Sequence, residues 1–253
     1  RHDAENPRLP YVMLVPVFAG AGTVTLVYLI LRSLGVSAFA ALTATTTLGL
    51  ATVHWKYSTA LFSHALSGFL VVLSIYLARR LAPKTRDRRL LFAFLGLLVG
   101  YAVLVEYSNA LLVPAVAVYL WMTGEGEPIR VRATRLGLFA LGGLVPALFL
   151  AFYNAVNFGS PFSLSYDYAI NYPWAGDLAE TFSFPLGRGL LAILFWGQGG
   201  GWCNPTCYNQ GLFLLSPVLL LSVFGIGAMF RRARALTLFT LGLFSIYLVV
   251  FAM

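Results

Sequence analysis

The chain has 253 residues, 59% of them hydrophobic and only 10% charged, with a mean hydropathy of +0.81. Soluble domains carry roughly a quarter charged residues, so this composition excludes an ordinary water-soluble domain and points to a polytopic membrane protein. The net charge of +8 does not point to nucleic acid, because the basic residues fall in short runs between apolar segments, the pattern that sets membrane orientation.

A polar lead, RHDAENPRLP, carries Asp3 and Glu5. The apolar run 11–31 that follows is long enough to cross about 30 Å of hydrocarbon. Further runs at 36–53, 60–78, 90–105, 110–122 and 136–153 precede a long polar and aromatic segment, and runs at 211–230 and 236–253 follow it. The expected fold is therefore all-α: one transmembrane bundle of about eight spans. Several runs are shorter than 18 residues, so their ends are the least defined part of the pattern.

The segment 154–210 is expected to form a long external loop containing both cysteines. Within it, PLGRGLLAILFWGQ is apolar but too short to span, which fits a re-entrant or interfacial helix with Trp196 and Trp202 at headgroup depth.

Orientation follows from charge. With Arg32 and the clusters at 79–89, 130–135 and 231–234 on one side, that side holds thirteen of the seventeen Lys and Arg residues. The positive-inside rule makes it cytoplasmic, in a plasma or inner membrane. The 154–210 loop, the hairpin HWKYSTALFSH and the turn EYSN then face outward, together with six of the nine acids. The arginine clusters are expected to meet anionic lipids.

Ionisable groups near the apolar zone are costly unless paired, hydrated or engaged with a ligand, which singles out His54, Lys56, His64 and Glu106. Lys56 suits a phosphate, the histidines suit proton transfer, and Glu106 suits a base or sugar hydroxyls. The structural alternatives are a snorkelling lysine, hydrogen-bonded histidines and a helix-end carboxylate. Two histidines ten residues apart match no metal-site spacing, so no metal is expected. Asp167 and Trp174 lie in a tyrosine- and amide-rich stretch that suits a sugar or lipid headgroup, or a packed loop. Cys203 and Cys207 are close enough for a short disulfide in an oxidising compartment, with free thiols or a metal as alternatives.

The succession VYLILRSLG, LGLATVHWKYSTALFSHAL, GLLVGYAVLVEYSNALLVPA, NFGSPFSLSY and GLFLLSPVLLL, followed by an arginine cluster, resembles the membrane core of GT-C-type glycosyltransferases. It is most similar to the group of protein O-mannosyltransferases and lipid A aminoarabinose transferases. The resemblance implies transfer of a sugar from a polyprenyl-phosphate donor, on the external side, by inverting displacement. No other cofactor is implied. It places Lys56 and Arg188 on the donor phosphate and makes His54, His64 and Glu106 candidates for the acid–base role.

The acidic first external loop usual in such enzymes has no clear counterpart, leaving only Asp3 and Glu5 as candidates for its tail. The opening at Arg1 and the close inside an apolar run suggest a partial chain. A non-catalytic subunit of a larger membrane complex, contacting lipids and partner subunits, is the alternative, and a transporter or flippase is disfavoured because no internal repeat is visible.

Overall fold

The computed structural model describes residues 9–81, 89–168, 182, 184–198 and 208–253. In chain order the helices are α1 (Leu9–Val12), α2 (Leu14–Ser33), α3 (Ala38–Leu50), α4 (His54–Ser58), α5 (His64–Leu81) and α6 (Arg89–Val105). A 3₁₀ turn (Tyr107–Leu111) leads into α7 (Leu112–Thr123) and the long α8 (Ile129–Phe158). After α9 (Leu186–Leu194), β1 (Trp196–Gln198) pairs antiparallel with β2 (Tyr208–Gln210), and α10 (Leu212–Leu215), α11 (Ser222–Arg232) and α12 (Arg234–Ala252) complete the described chain.

Four of these helices, α2, α5, α8 and α12, are long and apolar enough to cross a membrane. Their hydroxyl residues are satisfied within the helix. Thr23 donates to the Ala19 carbonyl at 2.9 Å, Ser74 to Leu70 at 2.7 Å and Thr237 to Ala233 at 3.0 Å. Such back-bonding lets a hydroxyl sit in an apolar setting without an unpaired donor. The outward faces are apolar, with Phe39 82%, Phe152 68% and Phe224 84% exposed. So much uncovered apolar surface matches a lipid-facing exterior far better than an aqueous one.

The other predicted runs are short or broken. α3 has 13 residues and α6 has 17, and α7 reaches 17 only with its 3₁₀ turn. The run 211–230 is not one helix, because it breaks at Ser216 (φ −144°, ψ 65°) before a 3₁₀ turn over Pro217–Leu221. Proline lacks an N–H and drives the preceding residue out of the helical region, which accounts for the break. In the opposite sense, α8 continues to Phe158, into the predicted loop, and ends where Gly159 adopts φ 77° and donates to Ala155.

α6 and α8 run side by side at backbone contact. A Cβ at Gly96 would collide with the Phe139 carbonyl, and one at Gly142 with that of Ala93. Small residues permit this approach in lipid, where apolar faces alone do not drive helices together. The main core lies toward the arginine-rich end, where Leu81, Phe92, Leu95, Leu120 and Leu236 are buried and Tyr119 stacks on Phe239 at 4.8 Å. At that end Arg79 closes the C-terminus of α2 by donating to the Ser33 carbonyl at 2.7 Å and its hydroxyl at 2.9 Å. Arg135 forks onto Glu127, with 2.9 Å from Nη2 to Oε1.

These contacts set the register of the opposite end. α2 and α5 run parallel, Ser33 beside Arg79 and Gly22 against the Phe69 ring, so His64 stands about one turn nearer that end than Gly20. The corner joining α3 to α4 packs against α2 at Gly20, where a Cβ would strike Ser58.

Candidate functional site

Three chain segments converge at the end opposite the arginines. Ser63 and His64 open α5, and Ser63 serves there as a helix start because its carbonyl accepts from Ser67 N at 2.8 Å. Glu106 ends α6 in an extended conformation (φ −150°, ψ 125°) that swings the chain into the 3₁₀ turn. Its Oε1 receives His64 Nδ1 at 2.5 Å and the Ser63 hydroxyl at 2.9 Å. A carboxylate oxygen only accepts, so Nδ1 carries the hydrogen and Nε2 is the ring's accepting nitrogen in the neutral form. Phe62 stacks on the ring at 5.8 Å and Tyr57 meets it edge-on at 5.2 Å, which fixes its plane. The His64 side chain is 54% exposed and that of Glu106 21%.

A buried polar network supports this pair. Asn109, 2% exposed, donates from Nδ2 to Ser67 Oγ at 2.8 Å and to the Ala102 carbonyl at 2.9 Å, and accepts the Tyr247 hydroxyl at 2.9 Å. Its backbone N–H also closes the turn onto the Glu106 carbonyl at 3.0 Å. The side chain therefore ties the first turn of α5, the last turn of α6 and α12 to one point. His64–Glu106 and Ser67–Asn109 have the same sequence offset, so the second contact holds the register of the first.

The predicted residues of the hairpin fare differently. His54 is tied to backbone, Nε2 lying 3.1 Å from the Gly20 carbonyl, a packing role that takes it away from His64. Lys56, exposed on α4, precedes the Tyr57 that touches His64, and its side chain makes no hydrogen bond or ion pair among the described residues. Arg188 is exposed on α9, which rests on the end of α12, where Phe184 N donates to the Met253 carbonyl at 2.7 Å. Asp167 falls in a 3₁₀ turn (Ser165–Tyr168). Asp3, Glu5, Trp174, Trp202, Cys203 and Cys207 lie outside the described residues.

Three of the six predicted site residues that are described thus meet in one neighbourhood: His64 and Glu106 directly, and Lys56 through Tyr57. Ser63, Asn109 and Tyr247 were missed, as was Ser216, whose buried Oγ accepts from Val53 N at 2.9 Å. The EYSN and SH dipeptide pattern signals a polar helix end, but nothing local to Tyr247 or Ser216 signals a partner far away in sequence. Among the described residues no group of three or more His, Cys, Asp and Glu is placed to hold a metal ion.

Comparison of the chain with protein families, with curated proteins and with solved structures finds no match.

Proposed function

We propose that this chain is an integral membrane glycosyltransferase of the GT-C type, which takes a polyprenyl-phosphate-linked sugar on the external side. In this reading the apolar runs make eight crossings, the arginine-rich end is cytoplasmic, and α9 lies at the outer interface with Arg188 near lipid phosphate. The observation that carries the catalytic part is the His64–Glu106 pair: a half-exposed imidazole oriented by a carboxylate at the end of an apolar bundle. A base held by a third group is the arrangement that activates a hydroxyl nucleophile.

The acceptor hydroxyl gives its proton to His64 Nε2 while its oxygen bonds to the anomeric carbon. The bond from that carbon to the phosphate oxygen breaks, and polyprenyl phosphate leaves. Glu106 stabilises the imidazolium that forms, Ser63 holds the carboxylate, and Lys56 and Arg188 offset charge on the leaving phosphate. An apolar cleft of about 410 Å³ between α6 and α8, lined by Phe94, Leu97, Tyr101, Leu104, Pro146 and Phe149, suits the lipid tail.

Purified protein in nanodiscs with a polyprenyl-phosphate-linked hexose and a hydroxyl acceptor tests this. His64→Ala is expected to lower sugar transfer by roughly 10²–10⁴-fold while expression and donor binding stay unchanged. Transfer at the wild-type rate in His64→Ala, or none by the wild type, would count against it.

A non-catalytic subunit is the second reading. It is favoured by α8, whose apolar window is 17% buried against 28–33% in the other three long helices, leaving most of it for a partner or lipid.

A further inference from the structure

We infer that Asn154, near the outer end of α8, holds the sugar of the lipid-linked donor through its side-chain oxygen. α8 turns toward α6 the residues Phe139, Gly143, Pro146, Leu150 and Asn154, whose spacing of three and four keeps them on one side of a helix. The inner part of that stripe is in contact. A Cβ at Gly96 would meet Phe139 and Gly143, and one at Gly100 would meet Gly143 and Pro146. The two helices therefore run parallel, with Pro146 level with Gly100. α6 stops at Val105, five residues past Gly100, whereas α8 continues to Phe158. Asn154 is eight residues past Pro146, so it stands about three residues, or about 4.5 Å, beyond the end of α6. That is the level at which Glu106 leaves the helix for the 3₁₀ turn.

Asn154 is 1% exposed, while Phe152, Tyr153, Ala155, Val156 and Asn157 around it are exposed, so its amide is turned into the protein. Its Oδ1 has no hydrogen-bond partner. The other amides of this region are occupied. Asn157 donates to the Tyr153 carbonyl at 2.8 Å, and Asn109 uses both ends of its amide. An unpaired buried acceptor is costly, and native proteins keep few of them.

Chemistry limits what can pair with it. An amide oxygen only accepts, so neither an ionised phosphate nor a lipid tail satisfies it, whereas a hydroxyl does. A lone water needs roughly two to four polar partners, and Leu150, Ala151 and Phe158, beside Asn154 on this face, supply no polar side chain. A sugar ring carries hydroxyls that both give and accept, and at this height it stands over the end of α6 between Asn154 and Glu106. The identity of the ligand rests on the transferase reading; the unpaired amide does not.

Asn154→Leu, close in shape to the native side chain, is prepared in nanodiscs, with Asn154→Ala as a second variant should the first fail to fold. Binding of polyprenyl-phosphate-linked hexose and of bare polyprenyl phosphate is measured by competition. The wild type is expected to prefer the sugar-bearing lipid. Either variant is expected to lose that preference by roughly tenfold or more while binding bare polyprenyl phosphate as the wild type does. A wild type without the preference overturns the assignment. An unchanged preference in the variants overturns it too and leaves the amide to an internal water, and an equal loss for both lipids overturns it by making Asn154 structural. Loss of the preference in a protein that transfers no sugar keeps Asn154 as the sugar contact and locates the error in the His64 chemistry. Sugar transfer with the preference unchanged does the reverse.

Discussion

At the scale of residues, Asn109 decides whether the His64–Glu106 pair holds. Its amide carries three side-chain hydrogen bonds from a site only 2% exposed, and each partner loses a mate if it goes. Removing one partner of a buried hydrogen bond costs about 1–3 kcal/mol per orphaned group. Asn109→Leu is therefore expected to lower unfolding free energy in detergent by at least about 3 kcal/mol, whereas Tyr247→Phe, which deletes only one donor, should cost about 1 kcal/mol. Equal costs for the two variants would mean that the amide is not the hub. The sequence made His64 and Glu106 visible singly, since each is an ionisable group beside an apolar run. Their pairing was not visible, because it depends on the register of α5 against α6, and no local pattern encodes a partner 42 residues away. His54 shows the converse: the same residue type in the same hairpin serves packing on Gly20.

Among elements, α6 and α8 form the closest pair, with backbone against backbone at Gly96 and Gly142. Gly142→Leu drives a side chain into the Ala93 carbonyl, which cannot swing aside as a rotamer would. Overpacking typically costs about 1–3 kcal/mol. The variant should lose thermal stability in detergent, while Gly137→Leu, at an open position of the same helix, should not. Matching losses would show that helix propensity and not contact governs both. Apolar length made the four long helices readable in advance. The run 211–230 has the composition of a span, yet its helix breaks at Ser216, because Pro217 lacks an N–H and drives the residue before it out of the helical region. At the end of α8 the sequence NAVNF looked like loop through its amides, but the stop signal was Gly159, four residues after Ala155.

For the molecule as a whole, charge asymmetry and packing agree on two unlike ends. Arginines close helices and a dense core sits beside them at one end; at the other, short and broken helices leave polar groups accessible. If the positive-inside rule governs this chain, a reporter cysteine at Leu61 reacts with impermeant reagent in intact cells, and one at Lys84 reacts only after permeabilisation. The reverse pattern would invert the proposed topology. The contact between Val53 and Ser216 bears also on biogenesis, because its two residues are 163 positions apart. At 5–20 residues per second the ribosome needs about 8–30 seconds to supply the second after the first. For that interval the corner bearing His54 and Lys56 must wait in the insertion machinery or the bilayer without its buried acceptor. A nascent chain stalled there would present an unsealed polar hairpin, which quality-control proteases of the membrane are suited to find.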